Sequence, residues 1–472
     1  MLKSRQEKIR RMLKEKTPVF KAEDSSQTYA IETFGCQMNM HDSERMAGLL
    51  EQTGYVRVED TVQADVIILN TCSVRERAED KLFSRLGEIS ADRKQKPPLM
   101  VVTGCLAQQE GADIFKRAKQ VDVVVGTQAM RRLPELLNRA KTWGSNQIDV
   151  NPYEDVSFPL GLAVRADPVK AYITIVEGCN DFCAFCVVPY TRGHERMRAS
   201  SEILGEVKAA VSSGHREVHL LGQIVNHYQC PEDPVCDFAG LLEKLDRVQG
   251  LLRIRFASPH PRHVNSKMIS AMRDLPSVCK HLHLPLQSGS TRVLRAMRRR
   301  HTREEYLDLV ERIRTAIPTM ALSTDIIVGF PGETEEEFQE TLSLVQQAGF
   351  SSMFSFKYSE RPTTLASRRM PETVSEREKT RRIIELQSMQ RTIQFDLNRQ
   401  SVGTTASVLA DNTSRRRDSE LSGRTGGNLV VNFPGKPSWV GSLVSVRIKR
   451  AGPHSVWGES VALGEAEQIN AN

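Results

Sequence analysis

A chain of 472 residues exceeds one ordinary domain and leaves room for about three. An apolar fraction of 39%, a charged fraction of 26% and sparse aromatics describe a foldable, soluble protein and exclude wholesale disorder. No apolar run approaches the roughly 18 residues of a membrane helix, so no membrane role is expected. The formal charge of +7 is bunched: residues 1–17 carry seven Lys or Arg against Glu7 and Glu15, and further knots lie at 295–303 and 415–417. Such clusters suit a polyanionic partner, because each phosphate neutralised releases a counterion, or else form ordinary solvated surface. The two glutamates and scarce serines argue against a transit peptide at the start.

In chain order, the first region alternates strand and helix. Strand patterns fall at 29–34, 64–70, 99–103 and 121–125, with helical periodicity over 44–51 and 74–89. This order predicts an open parallel α/β sheet. Cys36, Cys72 and Cys105 each follow a strand by one or two residues. The carboxyl ends of parallel strands share one edge, so three cysteines distant in sequence gather at one rim, the alternative being three separate core thiols. Residues 144–168 lose periodicity, gain Pro, Gly and Asp, and read as a linker.

The second region alternates again, with strands expected at 171–176, 217–221, 253–257, 281–284, 321–328 and 353–356, and helices at 202–211, 238–248 and 335–346. Six βα units predict a partial (β/α)6 barrel with its chemistry at the carboxyl-terminal rim. A long charged helix is expected over 374–399, followed by short β patterns at 406–409, 428–433 and 443–448, which predict a small β-barrel. The implied domains are a basic extension at 1–25, an α/β domain at 26–143, the linker at 144–168, the barrel with its helix at 169–397, and the β tail at 398–468.

The sharpest local signal is EGCNDFCAFC, which sets Cys179, Cys183 and Cys186 on one loop after the first barrel strand. Three clustered thiolates without a fourth suit an iron–sulfur cluster with one open iron. Zinc is the alternative, and His194 is its nearest fourth ligand. Phe182 and Phe185 are expected to shield the site. Cys230 and Cys236, in a Pro- and Asp-containing loop, read as exposed thiols, and Cys279 as core. Without a secretion signal, disulfides are not expected.

CxxxCxxC after the first strand of a βα barrel resembles the radical S-adenosylmethionine superfamily. TFGCQMN (33–39), NTCSVRE (70–76) and GCLAQ (104–108) resemble the methylthiotransferases within it, and the β tail resembles a TRAM domain, an RNA-binding module. GCQMN is similar to the members that modify N6-dimethylallyladenosine in tRNA. The resemblance runs from about residue 28 to 467. It implies that Cys179, Cys183 and Cys186 hold a 4Fe-4S cluster that binds and cleaves S-adenosylmethionine, the resulting radical taking hydrogen from C2 of the adenine. It also implies that Cys36, Cys72 and Cys105 hold a second 4Fe-4S cluster, which carries the sulfur.

The resemblance further places Phe185, Gly222, Gln223, Gln287, Ser288 and Gly329 around S-adenosylmethionine, with Gly329 near the adenine. Thr334 and Glu337 read independently as a helix capping box. The chain departs from the usual motifs at Ile224 (for Asn), Met197 (for Ser), Glu360 (for Pro) and Thr363 (for Gly), all on the expected substrate side. The partners implied are a tRNA anticodon loop, an electron donor and a sulfur donor of unassigned identity; a monomer in the cytoplasm is expected.

Overall fold

The computed structural model describes residues 27–73, 76–92, 97–152, 163–414, 417 and 419–461. The basic extension at 1–25, Arg415 and Arg416, Val74 and Arg75 of the second motif, and residues 462–468 lie outside the described residues.

Six parallel strands form the first sheet: β1 (Thr28–Phe34), β2 (Val56–Arg57), β3 (Val66–Thr71), β4 (Leu99–Gly104), β5 (Val123–Val125) and β6 (Gln147–Asp149), in the order β2-β1-β3-β4-β5-β6. β3 is buried along its whole length because helices cover both faces, the reason it reads as an unbroken apolar run. Inside the stretch expected as a linker, 144–168, of which residues 153–162 lie outside the described residues, stands the strand β6. With one buried residue in three, it is too short to show a period, and pairing with β5 rather than local pattern makes it a strand.

The second region holds six parallel strands in two groups of three. β7 (Lys170–Thr174), β10 (Glu217–Leu221) and β11 (Arg253–Phe256) form one, in the order β11-β10-β7; β12 (His281–His283), β13 (Ala321–Val328) and β14 (Ser352–Lys357) form the other. A parallel bridge, Ile254 to Val278, spans the groups, so the barrel is partial. The strand expected at 171–176 is broken. Thr174 ends β7, and β8 (Val176–Glu177) turns away to pair antiparallel with β9 (Arg196–Met197). That break swings the thiol loop out over the barrel rim.

Outward positions such as Ile173, Leu220, Ile254 and Leu322 are fully buried against the surrounding helices, each contributing roughly 1.5–3 kcal/mol. The opposite positions are polar, among them Glu217, Arg255, His281 and Ser323. The helix Glu376–Gln400 begins at Ser375, whose side chain accepts from Glu378 N–H, and packs across β14.

The tail is a closed barrel, β15 (Thr405–Thr413), β16 (Glu420–Thr425), β17 (Val430–Pro434), β18 (Leu443–Ala451) and β19 (Val456–Ser460), in the order β15-β16-β17-β19-β18. Val446 and Ile448 point into its core while Arg447 and Lys449 point to solvent, the period-two pattern of a half-buried strand. The tail is joined to the central barrel by buried charge. Arg253 donates to the carbonyls of Ser407 (3.0 Å) and Arg424, and Arg255 to that of Thr425 (2.7 Å). Lys170 pairs with Asp411 at 2.6 Å. Glu217 aligns Arg255 through a 2.9 Å bond. Among the described residues no helix is long and apolar enough to cross a membrane.

Candidate cluster and cofactor site

The first thiol set is built from three strand ends. Cys36 caps the helix Gln37–Gln52 after β1, Cys72 follows β3, and Cys105 opens the helix Cys105–Glu110 after β4. A small amide network fixes them. The Cys36 thiol donates to Asn39 Oδ1 at 3.2 Å; Asn39 Nδ2 donates to Asn70 Oδ1 at 3.0 Å; and Asn70 returns a 2.8 Å bond to the Asn39 carbonyl. Gly104, at φ +94°, lies so close to Asn70 and the Thr71 carbonyl that no side chain fits there. The asparagines of GCQMN and NTC, and the glycine of GCLAQ, are therefore parts of one device that brings the thiols to a single rim. A hydrogen bond with Cys72 holds the Cys36 thiol below its ordinary pKa, with Arg192 adding to the effect against the opposing cost of burial. Burial raises Cys105, opposed by Arg192.

The second set sits on the loop after β8. Gly178, at φ +82°, lies against the backbone of Gly193 and His194, and Cys179 N–H donates to the Gly193 carbonyl at 3.1 Å. Cys186 N–H closes a turn onto the Cys183 carbonyl at 3.0 Å. Arg299 contacts Cys183 Sγ at 3.7 Å and the Pro285 carbonyl at 3.1 Å. Burial pushes the Cys179 thiol up to about 11 and the Cys186 thiol up to about 12, so binding a cation here releases protons. His194 instead faces Asn180 Oδ1 at 2.9 Å. Among the described residues no three His, Cys, Asp or Glu side chains are arranged to hold a single ion; a four-iron cube takes its thiolates on separate corners and does not need that spacing.

One buried side chain joins the two sets. Arg192, 2% exposed, donates to Asp42 Oδ2 at 2.6 Å on the helix that Cys36 caps, and to Glu177 Oε1 at 3.4 Å, two residues before Cys179. Its charge and a hydrogen bond also reach Cys105. Thr191 and Arg192 present their carbonyls to Thr127 and Gln128 of the first domain. Thr174 contacts Met38 at 3.9 Å. The rim of the sheet thus faces the rim of the barrel. Sequence reasoning missed Arg192, whose partners lie 15 and 150 positions away.

The six residues expected around S-adenosylmethionine are placed as follows. Gln223 keeps a buried Oε1 without a hydrogen-bond partner. Gln287 holds φ +76° while bridging to β13 through Asp325 and Ile327, a strained conformation of the kind found at binding sites. Ser288 is fully buried and accepts from Ser290 N–H. Phe185 packs on the cluster formed by Ala184, Met297 and Phe330. Gly222 packs on Val176. The close approach at Gly329 is taken up by the stem of Lys379. Phe182 is 37% exposed, so of the two aromatic shields only Phe185 enters a core.

Cys230 and Cys236 are buried, correcting the expectation of exposed thiols. Their loop folds back through a Cys230–Cys236 backbone bond of 3.0 Å, and Cys230 Sγ accepts from Ser200 N–H. Cys279 is core. Thr334 and Glu337 form the capping box. Of the departures, Ile224 is buried, Met197 Sδ accepts from Gln229 N–H at 3.0 Å, Glu360 accepts from Ser367, and Thr363 holds φ +71°.

Comparison with known proteins matches three segments of the chain. Residues 28–126 match the Uncharacterized protein family UPF0004, 173–345 the Radical SAM superfamily and 399–461 the TRAM domain. A tRNA-2-methylthio-N(6)-dimethylallyladenosine synthase of Geobacter metallireducens is 45% identical over 432 residues, covering 91% of this chain and 97% of its own. That of Alkalilimnicola ehrlichii is 44% identical, covering 92% and 98%. The chain belongs to the tRNA-2-methylthio-N(6)-dimethylallyladenosine synthase family. Among solved structures, the radical S-adenosylmethionine methyltransferase TsrM of Kitasatospora setae shares the fold of this synthase family member, with a TM-score of 0.55 and 13% identity, covering 83% of this chain and 81% of its own.

Proposed function

We propose that the chain attaches a methylthio group to C2 of N6-dimethylallyladenosine at position 37 of tRNA, using two molecules of S-adenosylmethionine. Cys179, Cys183 and Cys186 hold one 4Fe-4S cluster, and Cys36, Cys72 and Cys105 the other. The observation that carries this reading is the pair of thiol triplets on facing rims, joined through Arg192. Bound clusters and S-adenosylmethionine supply the electron and radical chemistry that an unactivated C–H bond demands.

The protein's own groups bind and orient. The Asn39–Asn70 network presents three thiols together, and the Arg192 guanidinium balances negative charge beside them. Gln223 Oε1, buried and unsatisfied, is available to accept from the amino group of a bound ligand. Residues 26–143 supply the sulfur-carrying cluster, 169–397 the radical site and 398–468 a grip on RNA. The anticodon loop offers unstacked bases that a protein can extract. The enzyme works as a cytoplasmic monomer with separate electron and sulfur donors.

The prenyl group should decide turnover, because burying its five carbons gains about 0.8 kcal/mol each. Prenylated and unprenylated tRNA are assayed in parallel and scored by mass spectrometry for a methylthio adduct. Product is expected on the prenylated tRNA. Equal turnover of both, or product only on another modified adenosine, defeats this acceptor assignment.

A further inference from the structure

Of the basic knot at 295–303 only Arg299 enters the site above, yet the backbone on either side of it is strained. Arg298 and Arg300 hold φ of +58° and +54°, an uncommon region for a non-glycine residue, and they flank the buried Arg299. The alternation turns Arg299 inward onto Cys183 Sγ and leaves Arg298 and Arg300 exposed. Those two, with the exposed Arg295, line an open cavity of about 510 Å³ whose remaining wall is Asp181 and Phe182 of the thiol loop. Asp181 Oδ1 lies 3.9 Å from Arg300 Nη1, so one carboxylate faces three guanidinium groups and the cavity stays positive. Phe182 is 37% exposed and stands edge-on to Tyr190, itself 47% exposed, at 6.3 Å between ring centres.

We infer that this cavity is a binding site for the single-stranded sugar–phosphate backbone of the RNA substrate. Arg295, Arg298 and Arg300 take phosphates, and Phe182 with Tyr190 offers a stacking face for an unpaired base. Guanidinium forks match phosphate geometry, and sequence-tolerant RNA grooves pair positive charge with exposed aromatic rings. The concavity favours a nucleotide over an acidic redox protein, since a volume of this size suits a small group entering it rather than a broad protein face. The inference rests on the reading that tRNA is the acceptor, and it places that RNA beside the loop that carries Cys179, Cys183 and Cys186.

The test uses the full-length, cluster-loaded protein and a prenylated anticodon stem-loop, with Kd measured from about 50 to 200 mM salt. For the triple variant Arg295→Gln, Arg298→Gln, Arg300→Gln, Kd should rise at least tenfold. The slope of log Kd on log salt should fall by about 2, at ~0.7 per lost single-strand phosphate contact. Phe182→Ala should weaken binding about tenfold while Phe182→Trp keeps it. Iron content and melting temperature confirm that each variant is folded and loaded, and Arg312→Gln, at an exposed position of the helix Arg303–Ala316 outside the cavity lining, is the control. Wild-type affinity and slope in the triple variant overturn the inference. So does unchanged RNA binding accompanied by slower reduction from an acidic electron-donor protein, which would give the cavity to that donor. A wild-type protein that neither binds nor methylthiolates the stem-loop would instead count against the acceptor assignment.

Discussion

Arg192, from the segment that follows the barrel's thiol loop, donates a 2.6 Å hydrogen bond to Asp42, 150 residues earlier in the chain, with both side chains at most 2% exposed. A buried ion pair is costly to break one-sidedly, because the surviving charge stays desolvated. Arg192→Ala strands Asp42 and Glu177 and removes the cation beside Cys36 and Cys105. A loss of roughly 3–5 kcal/mol in stability is expected, together with loss of about four of the eight irons that two cubanes contain. Arg192→Lys keeps the charge without the fork and should recover part of both. Full iron content and an unshifted melting temperature in Arg192→Ala would show that the residue joins nothing.

The two thiol sets should separate two activities. Replacing Cys179, Cys183 and Cys186 by Ala should abolish reductive cleavage of S-adenosylmethionine and all product. Replacing Cys36, Cys72 and Cys105 should stop methylthiolation while 5′-deoxyadenosine still forms. Methylthiolated RNA from the second triple variant would refute the two-cluster assignment.

Thr363 is a β-branched residue at φ +71°, the region that favours glycine. Strain of this kind costs of order 1–3 kcal/mol, partly offset in Thr363→Gly by the greater freedom glycine gives the unfolded chain. The variant should be more stable by about 1 kcal/mol, read as a rise in the urea midpoint. An equal or lower midpoint would mean that Thr363 makes a compensating interaction.

Acid should weaken the central barrel through the half-buried His281 and the buried His301. Burial lowers His281 to about 3 and His301 to about 4, so the folded state stays neutral where the unfolded chain takes up protons below about 6.5. The unfolded state then binds more protons, and stability falls as pH drops from about 6.5 toward 4. His281→Asn should flatten that fall by up to about 2 kcal/mol between pH 6.5 and 5. Parallel wild-type and variant curves would show that His281 does not contribute.

Deleting the tail from residue 400 is a poor test of its role, because Arg253 and Arg255 would lose the carbonyls that neutralise their burial. Arg447→Gln with Arg450→Gln, both on the exposed face of β18, leaves that joint intact. Weaker tRNA binding and a slope smaller by about 2 are expected if each meets one duplex phosphate, at ~0.9 per contact. An unchanged slope would remove β18 from the RNA interface.

The sequence displays what local chemistry determines. All six cysteines that follow a strand or crowd a loop were visible from spacing, and β10 and β13 fall where their apolar patterns put them. Other features depend on partners distant in the chain. β6 exists because β5 offers an edge, and Arg192 matters because Asp42 arrives from another domain. Strands β16 and β19 carry Gly, Ser, Arg and Glu with few apolar residues, so closure of the small barrel, and not their composition, makes them strands. Cys230 and Cys236 looked exposed because Pro and Asp mark a loop, yet nothing local tells whether a loop folds back on a core.

The joint between barrel and tail has a consequence for how such proteins diversify. Arg253 and Arg255 grip main-chain oxygens of Ser407, Arg424 and Thr425, atoms that every amino acid carries. The tail's outward side chains can therefore change freely without loosening the attachment. Affinity for one set of RNAs or another can drift by surface substitution alone, while the two bodies stay coupled as they are.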